Sequence, residues 1–287
     1  MSKETQLATL TENYPKAPRR RTAYLKELVL PSDQHQFIGR IYDLSVVAYS
    51  FESYDDMSQY PDCLYALNVN EVLSSLTRRV ESLNHVADLL WLEDKFVADP
   101  HLPVTRYEWL NICADTFLMR YVSLFDCALL LTNEVLECDL RPQVCSLKNL
   151  RRNGAAPRIL DVLKEMDAVV SSLRNERNER FHRGWEREHT SDDISFKAST
   201  IHENRGMRMT GTDRYGRPLD QAKFLREGLV NLQRDFKKSS TLYIKSLDKL
   251  YDLLEIEFEG RFSPKFNDQK TGFGYQQRTR SLTRNNT

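Results

Sequence analysis

Residues 173–185 read Leu173-Arg174-Asn175-Glu176-Arg177-Asn178-Glu179-Arg180-Phe181-His182-Arg183-Gly184-Trp185. An α-helix turns about 100° per residue. With Arg177 at the origin, Met166, Val170, Leu173 and Phe181 all fall within about 40° of it, so Arg177 continues an apolar stripe. A guanidinium does not lose its proton, and burying one demands an anion. The anion is either a carboxylate from a neighbouring helix, such as Asp126, or the phosphate of a bound molecule. Asn178 and His182 lie about 100° and 140° round, at the edge of the stripe. The bland reading of the same residues is a solvated helix face with i,i+4 pairs Glu176–Arg180 and Glu179–Arg183, a structural Arg177 and a surface His182.

Other candidate constellations carry less. His182 and His189 are seven residues apart, but Gly184 between them weakens a shared helix. The run 210–218, Thr-Gly-Thr-Asp-Arg-Tyr-Gly-Arg-Pro, has the composition of a phosphate loop without a clear preceding strand, and reads as a turn. Lys16 and Arg19-Arg20-Arg21 form a basic cluster that reads as solvated. No G-x-S-x-G occurs, and no cysteine has a local histidine partner. Cys63, Cys113, Cys127, Cys138 and Cys145 include no C-x-x-C pair, which fits free thiols in a reducing compartment and offers no zinc spacing. No metal or cofactor is expected.

The elements that must position these residues are helices. Only 10 Gly and 10 Pro punctuate 287 residues. Residues 36–51 read as a first helix. Val69, Val72, Leu73, Leu76, Val80, Leu83, Val86, Ala87 and Leu90 step by threes and fours, which predicts an amphipathic helix over 64–95. Asp99-Pro100-His101-Leu102-Pro103 breaks it and marks a boundary. A helix follows over 105–137, with Asp115 and Asp126 among its apolar residues. Residues 141–158 read as a basic loop, with a turn at Asn153-Gly154 and Pro157 in the first turn of the next helix. That helix carries Ile159, Leu160, Leu163, Met166, Val169, Val170 and Leu173 towards Trp185. Residues 190–218 read as irregular with a short strand at 194–198, and a long helix closes the pattern over 219–258. The segmentation is an acidic helical region over 1–100, a helical bundle over 101–260, and a basic, disordered tail over 261–287.

The net charge is zero, but it is unevenly spread. Residues 31–140 hold 18 Asp and Glu against 6 Lys and Arg, and residues 141–287 hold 20 against 29. This is an acidic half and a half that tolerates a polyanion, or two faces that attract each other. Hydrophobic residues make up 40% of the chain, which fits a globular protein. No apolar run approaches a membrane span, and the N-terminus lacks the core of a secretory signal, so a cytoplasmic location is expected.

The run Arg177-Asn178-Glu179-Arg180-Phe181-His182, late in a long helix, resembles the Arg-polar-x3-His signature of HEPN domains. One long helix before it, an insertion after it and a closing long helix resemble the HEPN arrangement over about 105–260. The resemblance implies an all-α, HEPN-like bundle preceded by an additional helical region. It further implies a metal-independent endoribonuclease, often a toxin or an antiviral-defence effector, acting as a homodimer on RNA. In that chemistry the 2′-OH attacks the adjacent phosphate. His182 moves protons, Arg177 holds the phosphate and its developing charge, and Asn178 orients either the phosphate or the imidazole. Arg174, Arg180 and Arg183 steer the RNA backbone. Asp126 or Glu179 offsets the charge where two motifs meet, and a regulatory protein partner restrains the activity. A non-catalytic interaction or adaptor module, or an RNA-binding protein without cleavage, is the alternative.

Overall fold

The computed structural model describes residues 34–90, 104–207, 209–268 and 270–272. Among the described residues the regular structure is helical, with one isolated antiparallel bridge between Thr212 and Pro218. The helices are α1 (Gln36–Val46), α2 (Tyr54–Ser58), α3 (Pro61–Leu90), α4 (Arg106–Val135), α5 (Leu147–Arg152), α6 (Pro157–Arg183), α7 (Asp193–Asn204) and α8 (Gln221–Phe266), with short 3-10 turns at Val47–Ser50 and Pro142–Val144.

The apolar stripe of α3 is buried as its spacing predicts: Val69, Leu73, Leu76, Val80, Leu83, Ala87 and Leu90 are all in the core. Helix α4 opens with a capping box. The Thr105 hydroxyl accepts from the Glu108 amide at 3.1 Å, and the Glu108 carboxylate accepts from the Thr105 amide at 2.8 Å. Asn153 and Gly154 make the expected turn, with Gly154 at φ 85°, and Pro157 opens α6.

Three expectations are corrected. The basic segment 141–158 is not all loop. Ser146 caps α5 by accepting from the Asn149 amide at 3.4 Å, and Leu150 anchors the helix in the core. The segment 194–198 is helix rather than strand. Its alternation of apolar residues suggested a period of two, but the Asp192 side chain accepts from the Ser195 amide and starts α7, which buries Phe196 and leaves Ile194 82% exposed. Helix α8 runs on to Phe266 because Phe258 and Phe262 are both buried and stacked on each other. The proposed break at 99–103, the basic cluster at 16–21 and most of the 261–287 tail lie outside the described residues.

The chain divides into two compact units. The described part of the first comprises 84–90, 104–119, 175–207 and 209–238. Here Phe117 stacks on Phe236 at 3.6 Å, and Tyr107, Phe196 and Phe224 follow one another edge to face and tilted. Gly228 lets α8 come close to α4. A Cβ there would run into the Leu110 side chain and stand 3.4 Å from His189 Cβ. The described part of the second unit comprises 34–83, 120–174, 239–268 and 270–272. In it Tyr65 stacks on Phe258 at 5.0 Å and donates to the Val135 carbonyl at 2.8 Å, while Arg40 on α1 pairs with Glu259 on α8 at 2.7 Å.

Candidate active site

The segment 175–183 ends α6 and belongs to the first unit. Gly184 terminates the helix at φ 66°, its amide donating to the Arg180 carbonyl at 3.2 Å, a left-handed cap that glycine adopts without Cβ strain. His189 therefore does not share a helix face with His182.

Two ion-pair systems set how this segment is rolled. Arg180, with a side chain only 5% exposed, donates through Nε to Asp115 Oδ1 at 2.6 Å. Its Nη2 pairs with the same carboxylate and lies 3.4 Å from Asn111 Oδ1. Arg187 stands between Glu176, 3.6 Å from Nε, and Asp235, 2.5 Å from Nη2. Glu176 and Arg180 lie about 100° and 60° to one side of Arg177 on the helical wheel. Arg177, Phe181, Asn178 and His182 occupy the sector from zero to about 140° on the other side. Anchoring the first side against α4 and α8 leaves the second open: Arg177 and Asn178 are half-buried, Phe181 and His182 exposed.

Arg177 donates through Nε and Nη2 to Asn178 Oδ1, at 3.2 and 2.8 Å. Among the described residues no carboxylate pairs with it. Asp126, the carboxylate suggested for it, is exposed and belongs to the second unit. The Asn178 carbonyl holds the guanidinium in place without neutralising it. The asparagine amide and the remaining guanidinium N–H groups are donors suited to a phosphate.

The other predicted residues are distributed differently. Glu179 pairs with Arg183 at 2.8 Å on the exposed surface, whereas the companion pair Glu176–Arg180 is replaced by the anchors above. Arg174, in the second unit, pairs with Asp167 at 2.8 Å and lies over the Phe125 ring. All three arginines read as steering residues are therefore engaged by carboxylates, and Arg183 is the most exposed of them.

What the sequence reading missed is the network that joins His189, Asn111 and Asp115 through Arg180; His189 figures there only as a helix-face partner of His182, and Asp115 only as an acid among apolar residues. His189 is 1% exposed, its Nε2 2.9 Å from Asn111 Oδ1, its carbonyl accepting from Asn231 Nδ2 at 2.8 Å and its ring edge-on to Tyr107. Nδ1 of His189 and Nη1 of Arg180 are buried without a hydrogen-bond partner among the described residues. Burial, with Arg187 and Arg180 adding repulsion, pushes the imidazole down from 6.5 to about 3. The unfolded chain takes up this proton below about pH 6.5, and the folded chain only near 3. The stability that neutral His189 contributes is thus complete above pH 6.5 and lost as pH falls towards 3. His189→Gln should flatten the fall of unfolding free energy across that window by up to about 1.4 kcal/mol per pH unit, measured by urea titration of both proteins. Parallel curves would remove His189 from the pH dependence.

The 210–218 segment is a turn, and its anion site is already filled. The buried Asp213 carboxylate accepts from the Tyr215 and Arg217 amides, each at 2.9 Å, and from Arg217 Nε at 2.6 Å. All five cysteines are free, and burial pushes the Cys113 thiol up to about 12. Among the described residues no group of three or more His, Cys, Asp or Glu side chains could hold a metal ion, and no helix is long and apolar enough to cross a membrane.

An all-α chain with an Arg-Asn-x3-His run near the end of a long helix has the fold class of the HEPN domains. The chain belongs to the Cthe2314-like HEPN family, whose model matches residues 101–255, more than half of its length. No curated protein and no solved structure matches it.

Proposed function

We propose that the protein is a metal-independent endoribonuclease of the HEPN type. The observation that carries this reading is the clasp of Arg177 by Asn178, half-buried and without a carboxylate partner among the described residues, with His182 exposed in the same helical sector. A guanidinium given a neutral holder instead of a counter-ion keeps its charge for an incoming anion. The RNA 2′-oxygen loses its proton to a base and attacks the adjacent phosphorus. The bond to the 5′-oxygen breaks, and that oxygen takes a proton from an acid. Arg177 and Asn178 hold the phosphate and offset the charge of the phosphorane, and His182 moves protons. No step calls for a metal or another cofactor. The exposed Glu179–Arg183 pair contributes little to stability, so Arg183 is free to exchange its partner for a phosphate.

One motif offers one histidine, whereas the reaction uses both an acid and a base. A homodimer whose two motif helices face each other supplies both through two copies of His182, with two Arg177 side chains around one phosphate and Glu179 offsetting their repulsion. In this reading residues 101–260 form the catalytic bundle. The acidic region over 1–100 receives a regulatory partner, the basic tail over 261–287 adds affinity for RNA, and the protein works in the cytoplasm as a toxin or defence effector. The test is to unfold His182→Ala and Arg177→Ala chains, refold them together and assay cleavage. A shared site predicts mixed dimers that cut at a rate different from both parents. A monomer by light scattering that still cuts RNA would show that one chain suffices.

A further inference from the structure

The apolar stripe of α6 is buried at Ile159, Leu163, Met166 and Val170, half-buried at Leu173, and continues to Phe181, which is 50% exposed. Four residues on, just past the Gly184 cap, Trp185 is 49% exposed. Two large aromatic side chains therefore stand open, one before and one after His182 in the sequence, close to Arg180 and Arg183. Neither ring stacks on another aromatic side chain among the described residues. Phe181 could have turned inwards only if the helix rolled towards it, and the Arg180–Asp115 and Glu176–Arg187 pairs hold the opposite side against the unit.

We infer that Phe181 and Trp185 form a stacking platform for unpaired bases of the RNA that the site holds. The inference rests on the reading of Arg177, Asn178 and His182 as a phosphate-handling site. Phe181 lies one turn after Arg177 and about 40° round the helix, between the guanidinium and the His182 imidazole at about 140°. A nucleotide whose phosphate sits at Arg177 and Asn178 and whose ribose reaches His182 has its base beside this ring. Bases in a duplex are stacked on one another and present no free face. Bases in loops and single strands do, and aromatic side chains are the usual partners. The neighbouring positive charge of Arg177 and the exposed Arg183 suits a polyanion better than an apolar protein surface.

The experiment uses the full chain and an uncleavable 2′-O-methyl oligonucleotide, offered as a single strand and as a perfect hairpin. Binding is followed by tryptophan emission, with Trp185→Phe as the blank for that residue, and by anisotropy of the labelled oligonucleotide. The expected result is quenching of Trp185 and preference for the single strand. Phe181→Leu and Trp185→Leu should each weaken single-strand binding by about 5- to 100-fold, matching loss of one base stack, while Trp185→Phe keeps most of it. Equal affinity for strand and hairpin, no binding by the wild-type chain, or unchanged binding in both leucine variants would overturn the platform. So would leucine variants that turn a dimer into a monomer, which assigns the two rings to contact between copies. Binding with the expected pattern but no cleavage of ordinary RNA leaves the platform standing and removes the enzymatic reading. Cleavage with unchanged leucine variants does the reverse.

Discussion

His182→Ala should lower the rate of RNA cleavage by about 10²- to 10⁴-fold, the usual contribution of a positioned acid or base, and leave thermal stability within about 0.5 kcal/mol of the wild type. The second half of this expectation follows from the exposure of His182, which loses no buried contact on truncation. Arg177→Ala should behave alike, with a loss of about 10²- to 10³-fold. Its hydrogen bonds go to Asn178, the adjacent residue on the same helix, so removing it leaves no buried carboxylate without a partner. Rates and melting curves on the same preparations check both. A variant of either residue that cuts at the wild-type rate removes that residue from the mechanism.

Asp115→Ala should lower stability as well as cleavage. The Arg180 guanidinium is almost fully enclosed and, among the described residues, pairs with Asp115 alone, so truncation strands a buried charge. The expected cost is about 3 kcal/mol, near the lower end for breaking a buried pair, because Asp115 itself is partly open to water. Replacing both partners with apolar residues, Asp115→Leu with Arg180→Met, should recover much of that loss, since no desolvated charge remains. Cleavage should fall in the single variant even at temperatures where it is folded, because Arg180 fixes the roll of the helix that aims Arg177 and His182 outwards. Chemical denaturation and cleavage rates at low temperature separate the two effects. A stable Asp115→Ala protein would show that Asn111 and the surrounding helix suffice to hold Arg180.

Much of the fold can be read from local pattern. The stripe of α3 and the start of α6 at Pro157 depend on residues a few positions apart, and both stand where the spacing places them. Helix α5 escapes periodicity because its six residues are too few to show it, and α7 because its buried side is mostly polar, Phe196 with Ser199 and Thr200; their signals are the cap side chains of Ser146 and Asp192. The motif itself is legible as a run of residue types, but its surroundings are not. Extending the apolar stripe to Arg177 directs attention to a carboxylate for that residue. In the folded chain the carboxylate goes to Arg180 instead, 65 positions from Asp115. Beyond Leu173 the stripe offers only Phe181, so ion pairs rather than apolar burial choose which side of the helix faces inwards. Nothing local marks Asn111, Asp115 or His189 as members of that network, because their partners are brought to them by other helices.

The central claim is chemical, and the ends of cut RNA test it most directly. Purified full-length protein is incubated with total RNA and with tRNA, in buffer containing EDTA, and the fragment ends are mapped. Cleavage that persists in EDTA and leaves 2′,3′-cyclic phosphate and 5′-hydroxyl ends is the predicted result, with both lost in His182→Ala. Intact RNA, or cleavage that depends strictly on magnesium and leaves 3′-hydroxyl ends, would contradict it.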